Sequence, residues 1–391
     1  MASASRRSTP FGSVLVIGGC GFFGHHLVRT LRDQHLAWPI SVFSRKPDVN
    51  LLSEVDYYPG DITDADTMKE LLGKIQPCLI FHAASPDPFT DPPNPNAYVQ
   101  VNVDGTANVL AHAKASPSVA ALVYTSSLTV VLYDKNGECF DADEDAPIYR
   151  GPVTQKEPYH TSKGMADVMV RAAANTHLPH ENGLRTGCIR VPGIYGEGDE
   201  NMIVPGLQLA QWGLGCVQFG NNTTGFEPVY VANAVHGHVL LAKALLEEAS
   251  NGPSSQPAED QVTTKRINGE SFNITDDHPA PFWDYMRAIY AAAGHPQNPH
   301  EIWVIPAWLV HVLAVITEWA FWVIYRGQRR PKVMSWMKLE FVVVNRTYST
   351  KKAKQRLHWH AIVPRAEAAR RSADWGLKWI EGHKNGQEKL D

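Results

Sequence analysis

An apolar strand that ends in a glycine-rich turn is the feature that most constrains what this chain can fold into. Val14–Ile17 is an aliphatic run, and Gly18, Gly21 and Gly24 follow it at intervals of three residues. A helix is predicted from about Phe23 onward. Aliphatic runs of this kind are typical of strands that are buried on both faces of a parallel sheet. The segment therefore predicts the first strand, turn and helix of an α/β fold.

The alternation of strand and helix continues along the first half of the chain. Further strands are predicted at residues 40–44, 79–83, 121–125 and 186–191. Helices are predicted at residues 23–34, 65–74, 98–114 and 161–175. This order indicates βαβ units and a doubly wound parallel sheet. The expected fold class is α/β and Rossmann-like, with a smaller C-terminal substrate domain and an apolar helix that we expect to associate with a membrane.

The glycine turn predicts a dinucleotide cofactor. Gly18, Gly21 and Gly24 let the backbone turn tightly and approach a pyrophosphate, and Phe22 and Phe23 open a helix whose free N–H groups attract the phosphates. The alternative is a turn that is rich in glycine for packing reasons alone. A strand before the turn and a helix after it stand at the right distance, which favours cofactor binding.

The end of the second predicted strand bears on the kind of cofactor. A carboxylate that binds the ribose hydroxyls is expected about 20 residues after the glycines, but Ser44 and Arg45 stand there instead, with Lys46 next. A cation at this point can pair with a 2′-phosphate, so the sequence favours NADP over NAD. The alternative places both cations on a solvated loop. Asp61 and Ile62 are expected on the adenine side.

Length and composition limit the remaining possibilities. The chain has 391 residues, a formal net charge of −4 and five cysteines without metal-ligand spacing. This balance argues against a nucleic-acid partner, and the sparse cysteines suit a reducing compartment. No metal site is expected. We predict a disordered tail at residues 1–12, a dinucleotide-binding domain at 13–200 and a substrate-binding region at 201–383, from which about 226–248 returns to the first domain.

A tyrosine and a lysine four residues apart form the candidate catalytic pair. Tyr159 and Lys163 share one face of a predicted helix, where the ammonium group would lower the pKa of the phenol from its ordinary value of about 10. A second such pair, Tyr348 and Lys352, lies in a basic tail far from any predicted strand end and is set aside. We therefore expect Tyr159 to take the proton of an alcohol while hydride leaves for the nicotinamide.

Taken together, these motifs resemble the extended short-chain dehydrogenase/reductases along nearly the whole chain. That resemblance implies that Ala83 and Ala84 line the cofactor cleft, that Asn102 supports the active site and that the loop from Pro192 covers the nicotinamide. It also implies a catalytic serine at the end of the predicted strand at residues 121–125. Ser127 matches that position better, and Ser126 is the alternative.

The second half of the chain resembles the 3β-hydroxysteroid dehydrogenase branch of that family. Residues 204–206, 220–222, 229–238 and 267–275 carry the likeness, which is greatest to the decarboxylating sterol-4α-carboxylate 3-dehydrogenases. One departure is Glu227-Pro228-Val229, where that group has Asp, an aromatic residue and Thr. Another is Ser44, where Asp is common.

The resemblance implies oxidation of the 3β-hydroxyl of a 4-carboxysterol or related triterpenoid, followed by loss of carbon dioxide from carbon 4. Two alternatives stay open at this point. The first is a dehydrogenase, or dehydrogenase/isomerase, of another steroid or isoprenoid alcohol that acts without decarboxylation. The second is a membrane-bound scaffold that senses the cofactor without turnover.

A nearly unbroken apolar run near the C-terminus suggests contact with a membrane. Residues 307–325 would form a helix of roughly 28 Å, close to the thickness of a bilayer core, and residues 326–371 contain thirteen Lys and Arg against two acids. The run could lie in the interface, cross the membrane or be buried against the substrate pocket; the interfacial reading is favoured. The expected location is the cytoplasmic face of the endoplasmic reticulum, monotopic or single-pass, with a homodimer or a sterol-demethylation complex as possible assemblies.

Overall fold

Parallel strands and flanking helices form the body of the protein. A computed structural model of the protein describes residues 9–88, 94–151, 157–174, 183–250, 266–326 and 336–387. The strands are β1 Val14–Ile17, β2 Ile40–Ser44, β3 Asp56–Pro59, β4 Leu79–His82, β5 Ala121–Ser127, β6 Cys139–Ala142, β7 Arg185–Val191, β8 Ile194–Tyr195, β9 Val217–Phe219, β10 Val229–Tyr230, β11 Glu270–Asn273, β12 Trp303–Ile305 and β13 Arg346–Tyr348.

Helices cover the sheet and build the C-terminal part. The α-helices are α1 Phe22–Asp33, α2 Ala65–Ile75, α3 Pro95–Tyr98, α4 Thr106–Ala115, α5 Pro158–Ala173, α6 Ile203–Gln211, α7 Val231–Ser250, α8 Phe282–Ala292, α9 Ala307–Tyr325, α10 Trp336–Val343, α11 Lys351–Leu357 and α12 Arg365–Gln387. A π-helix, Val99–Gly105, joins α3 to α4 without a break. The short stretches Leu128–Val130 and Pro299–Glu301 are 3₁₀-helices.

The central sheet has seven parallel strands in the order β11-β7-β5-β4-β1-β2-β3. Strands β1 and β4 are buried along their full length, because helices cover both faces of the sheet. Helices α1 and α7 contribute to one core, and α2, α4 and α5 to the other. The chain reverses direction across the sheet between β1 and β4, which opens a crevice at their carboxyl ends. The predicted doubly wound fold is confirmed.

Some details differ from the sequence prediction. Strand β11 was not predicted, although it pairs with β7 at the edge of the sheet. The predicted disordered tail of residues 1–12 is wrong at Phe11, which is buried and donates its backbone N–H to the Leu36 carbonyl; residues 1–8 lie outside the described part. Helix α7 packs on the sheet, as expected for about 226–248, while the division near residue 200 stays a prediction.

Short strand pairs tie the C-terminal half to the sheet domain. Strand β10 pairs with β8, β12 with β9, and β13 with β6. The last pairing joins two segments that are about two hundred residues apart in the chain. The loops beyond the carboxyl ends of β5 and β7 are therefore covered by residues from the far end of the sequence.

Helix α9 spans the predicted apolar run, and most of it is exposed. Within α9, which is described along its whole length, Val310 and Ala314 are the buried residues. It is long and apolar enough to cross a membrane by length and composition. The alternative in which this helix is buried against the substrate pocket is wrong, because its large side chains point away from the body of the chain.

Within the described part of the basic segment 326–371, several cations pair with acids of the same chain. Residues 327–335 lie outside the described residues. The cations of α11 pair with acids of the sheet domain and its neighbouring loops. These pairs are Lys351 with Asp141, Lys352 and Arg356 with Glu270, and Lys354 with Asp277.

A buried ion pair attaches helix α5 to the sheet. Both carboxylate oxygens of Asp167 accept hydrogen bonds from Arg190 of β7, at 2.9 and 3.0 Å, and both side chains are fully buried. Ser126 of β5 donates to the same carboxylate at 2.7 Å, and Arg171 donates at 2.8 Å. Burial alone would raise the pKa of Asp167, but the charge and hydrogen bonds of Arg190 keep it below its ordinary value.

Removing Arg190 leaves the buried carboxylate of Asp167 without its bidentate partner, with the partly exposed Arg171 as its remaining cation. We expect Arg190→Met to lower the free energy of unfolding by about 3–5 kcal/mol, measured by urea denaturation. The double variant Arg190→Met/Asp167→Leu is the control and should recover most of that loss, since neither charge is then buried. A cost below about 1 kcal/mol for the single variant would contradict this account.

Candidate active site

The glycine turn leaves space where larger residues would collide. Gly18 has a φ of +85°, and a Cβ atom there would lie 2.8 Å from the backbone nitrogen of Ala84. A Cβ atom at Gly24 would lie 2.2 Å from the Gly18 oxygen. Gly21 precedes α1 and caps it without a side-chain hydrogen bond, so the first N–H groups of the helix face outward. Such a turn fits a pyrophosphate.

A cleft at the carboxyl ends of β1, β2 and β4 brings most of the predicted cofactor residues together. Its ≈ 660 Å³ of empty space is continuous with solvent. The predicted residues that line it are Gly18, Gly21, Ser44, Arg45, Asp61, Ile62, Ala83 and Ala84. The sequence analysis missed other lining residues, which are Ile17, Phe43, Gly60, Ser85 and Val101.

Some predicted cofactor residues lie beside this cleft. The Phe23 ring is buried and packs against His238, with 4.6 Å between ring centroids, and the Phe22 ring contacts His26. Both residues can therefore serve the cofactor through their backbone at the start of α1. Asn102 is buried behind the cleft, and Pro192 lines a second pocket.

The side chains at the ribose end of the cleft are polar and cationic. Arg45 and Lys46 are exposed, and no ion pair involves either of them among the residues that the structure describes. Asp61 uses one carboxylate oxygen to accept hydrogen bonds from the backbone N–H and the hydroxyl of Thr63. Since β2 ends in Ser44, no carboxylate at that point opposes a phosphate.

Lys163 is buried and held by the end of β5. Its Nζ donates to the Tyr124 hydroxyl at 2.9 Å and to the Thr125 carbonyl at 2.6 Å, and it lies 4.4 Å from the centre of the Tyr124 ring. Burial lowers the pKa of Lys163 to about 7. An ammonium group has three N–H donors, so one remains to point toward the cleft. The sequence analysis did not identify Tyr124 or Thr125 as partners of this lysine.

The surroundings of Tyr159 differ from the sequence prediction. Burial raises the pKa of Tyr159 above its ordinary value, and a hydrogen bond with Ser127 opposes that increase. The expected lowering by Lys163 is wrong for this structure, because Lys163 donates to Tyr124 and Thr125 instead. The Tyr159 ring packs edge-on against Tyr98 at 5.8 Å. Additional positive charge beside Tyr159 is therefore needed to favour its phenolate.

The two candidate serines have different partners. The Ser126 hydroxyl is buried and donates to Asp167, so it is not available to a substrate. The Ser127 hydroxyl lies within reach of Tyr159 and accepts a hydrogen bond from the Thr129 backbone N–H. This geometry supports Ser127 as the serine that contacts the substrate.

Asn102 supports the first turn of the catalytic helix from inside the π-helix. Its Nδ2 donates to the Ser162 hydroxyl at 3.0 Å, and that hydroxyl donates to the Tyr159 carbonyl at 3.0 Å. A π-helical turn contains more residues than an α-helical turn and often occurs at functional sites. Here the π-helix positions the amide of Asn102, which contacts the backbone of Tyr159 through the Ser162 hydroxyl.

A second pocket lies beyond Ser127, on the C-terminal side of the molecule. It has ≈ 400 Å³ of empty space, which includes open solvent, and it begins at Leu128 and Thr129, directly after Ser127. Its lining residues are Leu128, Thr129, Tyr133, Pro192, Gly193, Gly225, Phe226, Glu227, Glu340, Phe341, Val344, Arg346 and Tyr348. We refer to it as the substrate pocket.

The structure corrects the placement of Tyr348. It is buried and lines the substrate pocket, because β13 pairs with β6 close to the sheet. The second Tyr–Lys pair is nevertheless no catalytic unit, since Lys352 pairs with Glu270. Tyr133 and Arg346 were also missed, although they stack at 4.0 Å. No local motif marks these residues.

Glu227 is a buried carboxyl group in the wall of the substrate pocket. It is 6% exposed, and it accepts the Tyr348 backbone N–H. Burial raises the pKa of Glu227 to about 7; the N–H opposes this, the charges of Asp277 and Asp141 add to it, and Lys354 opposes it. Glu227 is therefore partly protonated near neutral pH.

Because its pKa is raised, Glu227 makes the folded protein less stable as the pH rises. Folding favours its protonated form between pH 4.5 and about 7, so its contribution to stability falls as the pH rises through this window. We expect Glu227→Gln to be more stable than the natural protein at pH 8, by on the order of 2–3 kcal/mol, and equal to it near pH 4.5. Urea denaturation at both pH values measures this, and an equal difference at both would contradict it.

The sequence of this chain is similar to those of known proteins. Residues 15–306 match the 3-beta hydroxysteroid dehydrogenase/isomerase family. The chain is 32% identical over 370 residues to a decarboxylating sterol-4-alpha-carboxylate 3-dehydrogenase of Schizosaccharomyces pombe, covering 94% of this chain and 98% of the relative. It is 34% identical over 293 residues to the enzyme with that description from Saccharomyces cerevisiae, covering 72% and 76%.

Solved structures share the fold. A UDP-glucose 4-epimerase of Thermus thermophilus, in complex with NAD, superposes with a TM-score of 0.63 at 19% identity, covering 93% of this chain and 98% of the epimerase. At that identity the likeness concerns the fold alone.

Proposed function

Since the chain belongs to the 3-beta hydroxysteroid dehydrogenase/isomerase family, we propose that it oxidises the 3β-hydroxyl of a 4-carboxysterol or related triterpenoid with an NAD(P) cofactor and releases carbon dioxide. The arrangement of Tyr159, which lies within hydrogen-bonding reach of Ser127 and one helical turn before Lys163 on α5, supports this proposal. The descriptions of the yeast relatives supply the substrate class. The chain covers most of both relatives, so the comparison extends to the whole catalytic unit.

The residues of this chain fit a nicotinamide dinucleotide. Gly18 and Gly24 keep open the space that side chains would fill, and α1 presents its N-terminal N–H groups there. Asp61 and Ile62 would hold the adenine side, and the remaining N–H of Lys163 would reach the nicotinamide ribose. When bound, the oxidised cofactor supplies a hydride acceptor and a positive charge beside Tyr159.

Tyr159 acts as the base in the proposed reaction. Ser127 would orient the substrate oxygen, and Tyr159 would take its proton, while Lys163 would hold the nicotinamide ribose. The resulting 3-ketone stands beta to the carboxylate at carbon 4. Carbon dioxide then leaves, since the electron pair of the broken carbon–carbon bond delocalises into the enolate of that ketone. Tyr159 can return the proton to the enolate oxygen, and no separate acid is required.

Replacing the phenol tests the proposed role of Tyr159. We expect Tyr159→Phe to lower kcat for a 3β-hydroxy-4-carboxysterol by at least about a hundredfold, measured by nicotinamide absorbance together with carbon dioxide release. Tyr290→Phe is the matched control, because Tyr290 is buried in α8 away from the site. Retained turnover in Tyr159→Phe would contradict the mechanism. Oxidation without carbon dioxide would show a dehydrogenase that does not decarboxylate.

NADP is the cofactor that the ribose end of the cleft favours. Arg45 lines the cleft and Ser44 leaves no opposing carboxylate. We expect Arg45→Asp to raise the Kd for NADP by about tenfold or more and to change the Kd for NAD far less, as measured by calorimetry. Lys69→Asp makes the same charge change on the exposed surface of α2, outside the cleft lining, and is the control. Equal effects on both cofactors would reject this preference.

Helix α9 supports a place at a membrane surface. Its exposed tryptophans suit the region between lipid headgroups and acyl chains. We propose a monotopic or single-pass association with the cytoplasmic face of the endoplasmic reticulum, where sterol substrates reside. A homodimer and a sterol-demethylation complex stay predictions.

A further inference from the structure

Exposed apolar side chains cover most of α9 and the strand that precedes it. Trp303 of β12 is 73% exposed, and Trp308, Trp319 and Trp322 of α9 are exposed to similar degrees. Strand β12 pairs with β9, and the turn before β9 adds the exposed side chain of Trp212. We call this surface the apolar face. It is larger than the isolated apolar contacts that are normal on soluble proteins.

The apolar face is separated from the substrate pocket by one short helix. Leu339 of α10 packs against Val310 and Ala314 of α9. The next two residues of α10, Glu340 and Phe341, line the substrate pocket together with Val344, which follows the helix. Helix α10 therefore contacts α9 through one side and forms the pocket wall with the other.

The wall of the substrate pocket combines aromatic side chains with the ion pair of Arg346 and Glu340, which suits a substrate that has both rings and a carboxylate. Phe226 and Phe341 pack edge-on at 6.1 Å in its wall, while Thr129 and Pro192 lie at the end near the predicted nicotinamide. A sterol in a bilayer keeps its hydroxyl and carboxylate at the interface and its rings among the acyl chains. Its polar end would enter first, and its rings would follow past the aromatic wall.

We propose that a phospholipid bilayer covers the apolar face and that substrate passes from the bilayer into the substrate pocket past α10, without crossing water. This inference rests on the proposed function, since it concerns the same pocket and substrate class. The length and composition of α9 and its continuity with α10 favour lipid as the occupant.

The test compares one substrate presented in two ways to the full chain. A 4-carboxysterol is supplied either in phosphatidylcholine vesicles or in water as a cyclodextrin complex. We expect Trp319→Glu/Trp322→Glu to lower kcat/KM for the vesicle-held substrate at least about tenfold and to change it less than about twofold for the cyclodextrin complex. Trp38→Glu is the control, because Trp38 is exposed just before β2, at the amino end of that strand, whereas the crevice lies at the carboxyl ends.

A second arm distinguishes passage from simple attachment. The double variant is attached to nickel-lipid vesicles through an N-terminal histidine tag, which restores binding without restoring the apolar face. Turnover of vesicle-held substrate should stay low; full recovery would overturn the route past α10. Equal losses with both presentations, or a dimer in solution that covers the face and does not bind vesicles, would also overturn it. Absence of turnover by the natural protein with the cyclodextrin complex would instead reject the proposed function.

Discussion

The buried carboxylate of Asp167 holds the catalytic machinery in register. It lies one helical turn after Lys163 and two after Tyr159 on α5, and it binds Arg190 of β7 and Ser126 of β5. Ser126 directly precedes Ser127. The side chain of Asp167 therefore fixes the strand that carries Ser127 relative to the helix that carries Tyr159 and Lys163. Burying two charges is costly, so the pair is better understood as fixing one orientation of α5 than as a source of stability.

Local motifs made the fold and the centre of the site predictable, whereas contacts between distant segments were not. The glycine turn and the Tyr159–Lys163 spacing are each contained within a few residues, and their strands and helices follow from hydrophobic periodicity. Tyr348 reaches the pocket only through the pairing of β13 with β6, which leaves no mark in the sequence around it. Tyr124 was not predicted either, because its position in an apolar strand indicates only a buried core residue and not a partner of Lys163.

The charge distribution has a structural meaning that a net value of −4 conceals. Residues 326–371 carry a net charge of +11, and the rest of the chain carries −15. Cations of α11 lie against acids of the body, such as Asp277 and Glu270. Much of the asymmetry is therefore satisfied within the molecule, and the C-terminal segment is fastened onto the domain that carries the cofactor cleft.

Because of the π-helix at Val99–Gly105, the number of residues between α3 and α4 matters for the candidate active site. Each residue turns an α-helix by about 100°, so the added residues in the wider turns determine which way Asn102 faces. A deletion of one residue between α3 and α4 could preserve helix, burial and composition, and would still rotate the amide of Asn102 away from Ser162. In this stretch the spacing carries information that the identities of the neighbouring residues do not, and relatives of this chain should vary more readily there by substitution than by insertion or deletion.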